Sequence, residues 1–311
     1  MLHQKSLLKS FFVLILSVIL LSACQENESV TSQNSGSTDI DVFQKIIAED
    51  ELLESFEANY EDDAMLNSLA KFDEEITPIN IRRKIVSRER ELELTVSEDE
   101  QTATGVAIKT ITGILYIKAE TEDGNSSFIE KSFTSIVTRN LEFEKYANSD
   151  NPEKNWRIIK MSLAEGSTGS ENIEITKLTL FMPDNSIIEI DSPNDYYLER
   201  IIGKRNQVPK LKQRENITVK VEVKSVYEGD DYLCLNYGAT KNGLRRAKQK
   251  FELLETTRFG EYFNKVYEAT YTTNKTKGKK HAVVNLISNL TLHDSESVIE
   301  SNSWGIPYIV N

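Results

Sequence analysis

Long runs of alternating apolar and polar residues are the feature that most constrains how this chain can fold. Four such runs lie near residues 79–97, 103–120, 127–146 and 155–163. In the third run the apolar residues share one parity, namely Ile129, Phe133, Val137, Leu141 and Phe143. A period of two is typical of strands that bury one face, and polar turn sequences separate the runs. The pattern therefore predicts an antiparallel meander of long strands.

The first of these runs changes parity partway along. Ile79, Ile81 and Ile85 occupy odd positions, whereas Leu92 and Leu94 occupy even ones. A shift of one residue moves every later side chain to the opposite face of a sheet. We therefore expect a β-bulge or a sharp bend between Ile85 and Leu92.

Two helical patterns precede the meander. In the first, apolar residues from Phe43 onward follow helical spacing after a capping box at Thr38–Asp41. The second places Leu66, Leu69, Phe72 and Ile76 on one face. Two helices followed by a bent meander, with Trp156 opening its last strand, resemble the cystatin-like or NTF2-like α+β cone. The resemblance covers residues 39–163 and implies two helices on a bent antiparallel sheet.

The second half of the chain reads almost entirely as strands. A Gly/Ser-rich stretch at 164–171 has the composition of a linker, and strand patterns with turn signals fill 172–311. Strands at this spacing without helices resemble immunoglobulin or fibronectin type III domains. We therefore expect an α+β domain at 39–163, a linker, and an all-β sandwich domain at 172–311.

The N-terminus carries the pattern of an export signal. Lys5 and Lys9 precede an uncharged apolar run at 10–21, which is short for a membrane span. The run closes with Leu21-Ser22-Ala23-Cys24, which resembles the bacterial lipobox. That resemblance implies a signal peptide at 1–23 and a membrane anchor through lipid on the Cys24 thiol. The alternative is an ordinary secretory signal followed by a chance cysteine.

Residues 24–38 have almost no apolar side chains to bury, so we expect a flexible tether between the lipid and the fold. The start Cys24–Glu28 also resembles the acidic surface-export signal of Bacteroidota lipoproteins, although Asn27 interrupts the acidic run. These patterns predict a lipid-anchored protein of the cell envelope. They leave open whether it lies on the outer membrane, the periplasmic side or the surface.

The charge of the chain bears on its partners. The formal net charge is −12, and the negative balance comes from the part of the chain before residue 171, since acidic and basic residues nearly cancel after it. Such a balance argues against a nucleic-acid partner. Basic clusters lie near predicted turns of the second half. One interpretation is that they keep the protein soluble, and the other is that they bind an anionic partner such as a surface polysaccharide or another envelope protein.

Residues suited to catalysis are scarce in the sequence. His281 and His293 are the histidines outside the signal peptide, and neighbours such as His293-Asp294-Ser295 cannot converge as a catalytic triad. We find no metal-ligand spacing and no cofactor motif, and therefore expect no catalytic residues, no metal and no cofactor. A weak calcium site in the turn 228–231 is the sharper alternative to a solvated turn.

Two functions remain in competition. The first is a non-catalytic binding or scaffolding protein anchored in the envelope. The second is an enzyme or small-molecule carrier that uses a pocket inside the N-terminal cone, with Arg83 and Tyr116 as the candidate pocket residues. Cys234 is predicted on the face of its strand opposite Leu233 and Leu235, where a thiol is either inert or able to pair between chains.

Overall fold

The computed structural model describes residues 37–53, 64–65, 76–120, 126–200, 207–240 and 247–311, with the backbone alone for 37–39 and for 64–65. The predicted signal peptide, Cys24 and the tether up to residue 36 lie outside the described residues. So does most of the second predicted helix, of which only Ala64, Met65 and Ile76 are described.

Strands dominate the described residues. Helix α1 spans Ser37–Glu49, and the short helix α2 spans Asn289–His293. Strands β1 to β17 are, in chain order, Ala64–Met65, Thr77–Val96, Thr102–Glu120, Ser126–Lys145, Trp156–Ser162, Ala164–Ser167, Ile173–Phe181, Ile187–Ile190, Tyr197–Glu199, Lys210–Leu211, Asn216–Ser225, Tyr232–Ala239, Ala247–Lys250, Glu252–Phe259, Tyr262–Thr272, Gly278–Ile287 and Ser301–Val310.

A twelve-stranded sheet runs through both halves of the chain, in the order β1-β2-β3-β4-β6-β17-β16-β12-β13. Strands β5 and β9 branch from β4, and β10 adds to β17 as a parallel neighbour. Strand β6 hydrogen-bonds to β4 at residues 136–138 and to β17 at residues 302–305. One hydrogen-bonded network therefore passes through the stretch that was expected to be a linker.

This sheet curls back over itself. Strands β2, β3 and β4 are 20, 19 and 20 residues long, or about 65 Å each. Ile81, Leu115 and Phe133 on their concave face lie in one core cluster with Cys234 and Val283, which belong to β12 and β16. The long strands thus cover the face of β12 and β16 that would otherwise meet solvent.

A second sheet, in the order β14-β15-β11-β7-β8, covers the other face of β12, β16 and β17. Val219 and Val221 of β11 share a core cluster with Leu235 of β12 and Val284 of β16. Strand β12 is therefore buried on both faces, which explains why seven of its eight residues are buried. Strands with two buried faces are unusual in antiparallel sheets, where one face is commonly solvated.

The expected fold class, an α+β cone followed by a separate β-sandwich, is wrong. The protein is mostly β, and its centre is one curled antiparallel sheet built from both halves of the chain. The physical reason lies in the pairing of β6, which joins β4 to β17. Alternation in single strands cannot reveal that pairing, because hydrogen bonds between distant strands leave no periodic signal.

The individual strands agree closely with the sequence patterns. The four predicted runs of the meander correspond to β2, β3, β4 and β5. The register between β2 and β3 shifts between Ile85 and Ser87, so the bulge predicted from the parity change is confirmed. Val86, the residue skipped by this shift, is exposed.

Gly113 of β3 lies beneath the ring of Phe133 on the concave face. A Cβ at this position would lie 2.6 Å from the Lys84 carbonyl oxygen and 2.6 Å from Phe133 Cζ. The Arg83 guanidinium also lies over the Phe133 ring, 5.1 Å from the ring centroid. The absent side chain at Gly113 therefore lets an aromatic ring and a buried cation stack inside the curl.

A buried ion pair links the two sheets. Lys265 Nζ of β15 lies 2.7 Å from Asp231 Oδ2, which precedes β12, and both side chains are fully buried. Lys265 also donates to the carbonyl of Gly229. The Asn289 N–H, at the start of α2, donates to Asp231 Oδ1 at 2.9 Å. Three separate segments are thus held by one pair of charges.

We predict that Lys265→Met lowers the free energy of unfolding by about 3–5 kcal/mol, because it leaves the Asp231 carboxylate buried without its counter-ion. The measurement is urea unfolding followed by circular dichroism. Arg157→Met, which breaks the exposed pair of Arg157 with Glu144, should cost no more than about 1 kcal/mol. Equal losses in the two variants would show that the buried pair has no special weight.

Candidate functional site

Helix α1 packs across one end of the concave face of β2, β3 and β4. Phe43 is fully buried, with its ring centroid 4.8 Å from that of Phe143 and 4.9 Å from that of Trp156. Edge-to-face and tilted pairs at such distances are favourable aromatic geometries. Phe43 thus holds the middle of the helix against β4 and β5.

Polar contacts hold the turn that follows the helix. The Asp50 carboxylate accepts the Leu52 N–H at 2.8 Å and pairs with Arg200. His281 Nε2, on β16, donates to the carbonyl of Glu51 at 3.0 Å. This turn is therefore linked to Arg200, which directly follows β9, and to His281 on β16.

Between α1 and the concave face lies a cleft of about 750 Å³, solvent at its mouth included. Its roof is formed by Gln44, Ile47, Ala48 and Leu53. Its floor is formed by Arg90, Glu91, Leu92, Ala107, Ile108, Lys109, Val137, Thr138, Arg139 and Ala164. This lining combines apolar side chains with a few polar and charged ones, which is the usual composition of ligand sites.

Small side chains create the space. Strand register places Ala107 directly between Leu92 and Arg139 in one row across the floor. Ala48 faces this floor from the helix, and Ala164 closes it from β6. Larger residues at these three positions would fill the gap, so the cleft follows from the sequence at the points where the helix crosses the sheet.

Arg139 is the buried charged residue of the cleft. It is 5% exposed, and its Nη1 donates to the carbonyl of Leu52 at 3.0 Å. Its Nη2 is shielded from solvent and has no hydrogen-bond partner among the described residues. Burial lowers the pKa of the guanidinium to about 10, opposed in part by the nearby Asp50 carboxylate. A buried donor without an acceptor costs about 1–3 kcal/mol, more when it is charged.

Arg83 and Tyr116, the pocket residues predicted from the sequence, do not come together. Arg83 is buried on the concave face, where it stacks on Phe133 and lines a small gap beside Cys234 and Asn285. Tyr116 pairs in register with Arg82 instead, so it lies on the opposite, outer face of the sheet.

Tyr116 belongs to a basic surface on that outer face. This outer basic surface comprises Asn80, Arg82, Lys84, Tyr116, Lys118 and Phe128. Phe128 is 70% exposed. Within the described part of the chain, none of the three cations lies within salt-bridge distance of a carboxylate. Three cations are therefore clustered on a protein of negative net charge, and Glu130 pairs in register with Tyr116 on the same face.

Asp231 and Cys234, two further candidates from the sequence, are both buried in the interior of the fold. Asp231, in the turn considered for calcium, already accepts from Lys265 and from the backbone of Asn289. Cys234 lies opposite Leu233 and Leu235, as predicted, but its face of β12 is covered by the curled strands. Burial raises the pKa of its thiol, which disfavours the reactive thiolate.

His281 and His293 are both buried and lie apart from the cleft floor. His293 Nδ1 donates to the carbonyl of Ile76 at 3.2 Å and thereby ties α2 to the chain entering β2. Burial lowers the pKa of the His293 ring, and the hydrogen bond to Ile76 opposes this shift. In the folded protein the ring therefore resists protonation.

Sequence reasoning missed Arg139, although it shares the parity of Val137 and Leu141 in the third run. A basic residue on an apolar face was the available signal. The opposite side of the cleft is formed by α1, and a strand pattern contains no information on which helix lies above it.

We predict that acid destabilises the protein through His293. Because the pKa of the folded state is depressed, the unfolded chain takes up a proton first, and the stabilisation present above about pH 6.5 is lost as pH falls. In urea unfolding at about pH 7.5 and about pH 5.5, His293→Gln should lose less stability on acidification than the wild type does. Equal losses in the two proteins would contradict the role given to His293.

Comparison with known proteins yields no match to any family model and no match among curated proteins. Within the described ranges, no helix combines the length and apolar character needed to cross a membrane. In the same ranges, no three His, Cys, Asp or Glu side chains are grouped as metal ligands would be. The candidate site therefore rests on the geometry of the cleft beneath α1.

Proposed function

We propose that this chain is a lipid-anchored, non-catalytic binding protein of the cell envelope, and that it holds an apolar small molecule in the cleft beneath α1. The observation that carries the proposal is the cleft itself. It lies between a helix, held at its middle by Phe43 and at the turn that follows it by Asp50, and a floor of long, hydrogen-bonded strands. Such a floor is rigid, and rigid concave sites lower the entropic cost of binding.

The lining of the cleft favours binding over chemistry. Its residues are apolar or basic except for Gln44, Glu91 and Thr138. General acid–base catalysis needs groups poised to exchange protons near neutral pH, and nucleophilic catalysis needs an activated hydroxyl, thiol or amine. A guanidinium such as that of Arg139 instead provides a fixed positive charge and N–H donors.

The anchor would place this cleft close to a bilayer. Lipid on Cys24, followed by a tether, would restrict the folded part to the membrane surface, where apolar molecules are concentrated. An envelope protein or a surface polysaccharide as an additional partner stays a prediction from the sequence, and the outer basic surface is the place where an anionic one would meet complementary charge.

The first test places a probe in the cleft. A photoactivatable alkyl probe, added to membranes that contain the full-length protein, should label peptides from α1 and from β2 to β4. We expect Ala107→Trp to abolish this labelling, because the indole would occupy the open floor. Mass spectrometry of the labelled peptides is the measurement.

Ser132→Trp is the matched control, since Ser132 is exposed on the outer face of β4. The control should label like the wild type, and thermal unfolding should show both variants folded. Labelling that persists unchanged in a folded Ala107→Trp variant would overturn the proposal that the cleft is the binding site.

The second test concerns the anchor. Cys24→Ala should remove the lipid and move the protein from the detergent phase to the aqueous phase on detergent phase separation, because no acyl chains remain to partition. The mature N-terminus of the wild type, read by mass spectrometry, should begin at a diacylated cysteine. An unmodified residue at that terminus would dismiss the lipid anchor and leave the cleft to be judged separately.

A further inference from the structure

We infer that the ligand of the cleft is an apolar chain that ends in a carboxylate, such as a fatty acid, and that Arg139 binds its charged end. This inference rests on the proposed function, because it names the chemical class of the molecule held beneath α1. A site for such a ligand needs three features, namely an apolar lining for the chain, a positive charge at one end of the cleft, and an N–H donor that has no acceptor within the protein.

The donor is Arg139 Nη2. Arg139 is nine-tenths buried and lines the cleft, while its Nη1 is engaged by the Leu52 carbonyl. Nη2 carries two further N–H donors and has no partner among the described residues. Buried polar groups are nearly always hydrogen-bonded, so an exception of this kind points to a group that the protein binds.

The sign of the missing partner is set by Arg139 itself. Its guanidinium is a fixed positive charge whose N–H groups can only donate, so a group that accepts from Nη2 binds most strongly when it is an anion. Among anions, carboxylates match the planar geometry of a guanidinium especially well.

The rest of the lining determines the body of the ligand. Ile47, Ala48, Leu53, Leu92 and Val137 line the cleft with aliphatic surface. None of these side chains can hydrogen-bond to a sugar, a nucleotide or a peptide backbone. A flexible hydrocarbon chain satisfies such a surface through apolar burial alone. An apolar tail with a single anionic end therefore fits both parts of the lining.

Arg139 also has a structural role, since Nη1 fixes the turn after α1. A test that only removes the side chain would confuse the two roles. The comparison of a medium-chain fatty acid with the primary alcohol of the same chain length separates them, because it leaves the protein unchanged. Both compounds compete with the photoactivatable alkyl probe in membranes that contain the full-length wild-type protein.

We expect the fatty acid to compete about 10- to 100-fold more effectively than the alcohol, which is the usual effect of a hydrogen bond to a charged group. Equal competition by the two compounds would overturn the role of Arg139 while leaving the proposed function intact. If no alkyl probe labels the cleft at all, the proposed function itself fails.

Variants then assign the effect to Arg139. In Arg139→Met the preference for the acid over the alcohol should disappear, and in Arg139→Lys, which keeps the charge, part of it should remain. Arg157→Met, at an exposed position on β5, is the matched control and should keep the full preference. If Arg139→Met does not fold, the Lys variant and the wild-type ratio decide. A full preference in a folded Arg139→Met variant would overturn the inference.

Discussion

The pairing of strand β6 on both of its edges is the constraint on which the rest of the structure depends. Four residues, Ala164–Ser167, join β4 to β17 and so combine strands from both halves into one sheet. Once joined, the long meander has to curl, because its concave face carries apolar side chains that need a partner. The partner is the face of β12 and β16 that holds Cys234 and Val283.

Folding buries several charged side chains, and two of the lysines meet specific partners. Lys131 donates to the carbonyls of Thr291 and Asp294, at 2.8 and 2.5 Å, and to Ser297 Oγ at 2.8 Å. Lys265 pairs with Asp231. Buried charges are tolerated only when the surrounding groups compensate for lost hydration. Arg139 has a hydrogen-bond partner at Nη1 and none among the described residues at Nη2, and this difference separates a structural cation from a candidate ligand-binding one.

The cleft exists because the curl is incomplete. Strands β12 and β16 cover the part of the concave face around Leu115 and Phe133, whereas α1 covers the part around Leu92 and Arg139. A helix contacts a sheet along a ridge, and small residues such as Ala107 leave space beside it. The packing of a helix on a sheet thus leaves a cavity here, whereas the side chains of two packed sheets would interdigitate and fill the space.

The sequence by itself determined the strands of the meander and the bulge after Ile85, because alternation and parity are local properties of the chain. It also placed Cys234 and Leu235 on opposite faces of β12. The tertiary structure alone decided that the Gly/Ser-rich stretch forms β6, that both faces of β12 are buried, and that Arg139 lies beneath α1. These facts depend on which distant segments pair and pack, and the free energy of such contacts is shared between residues far apart in sequence. A local sequence pattern therefore cannot predict these contacts.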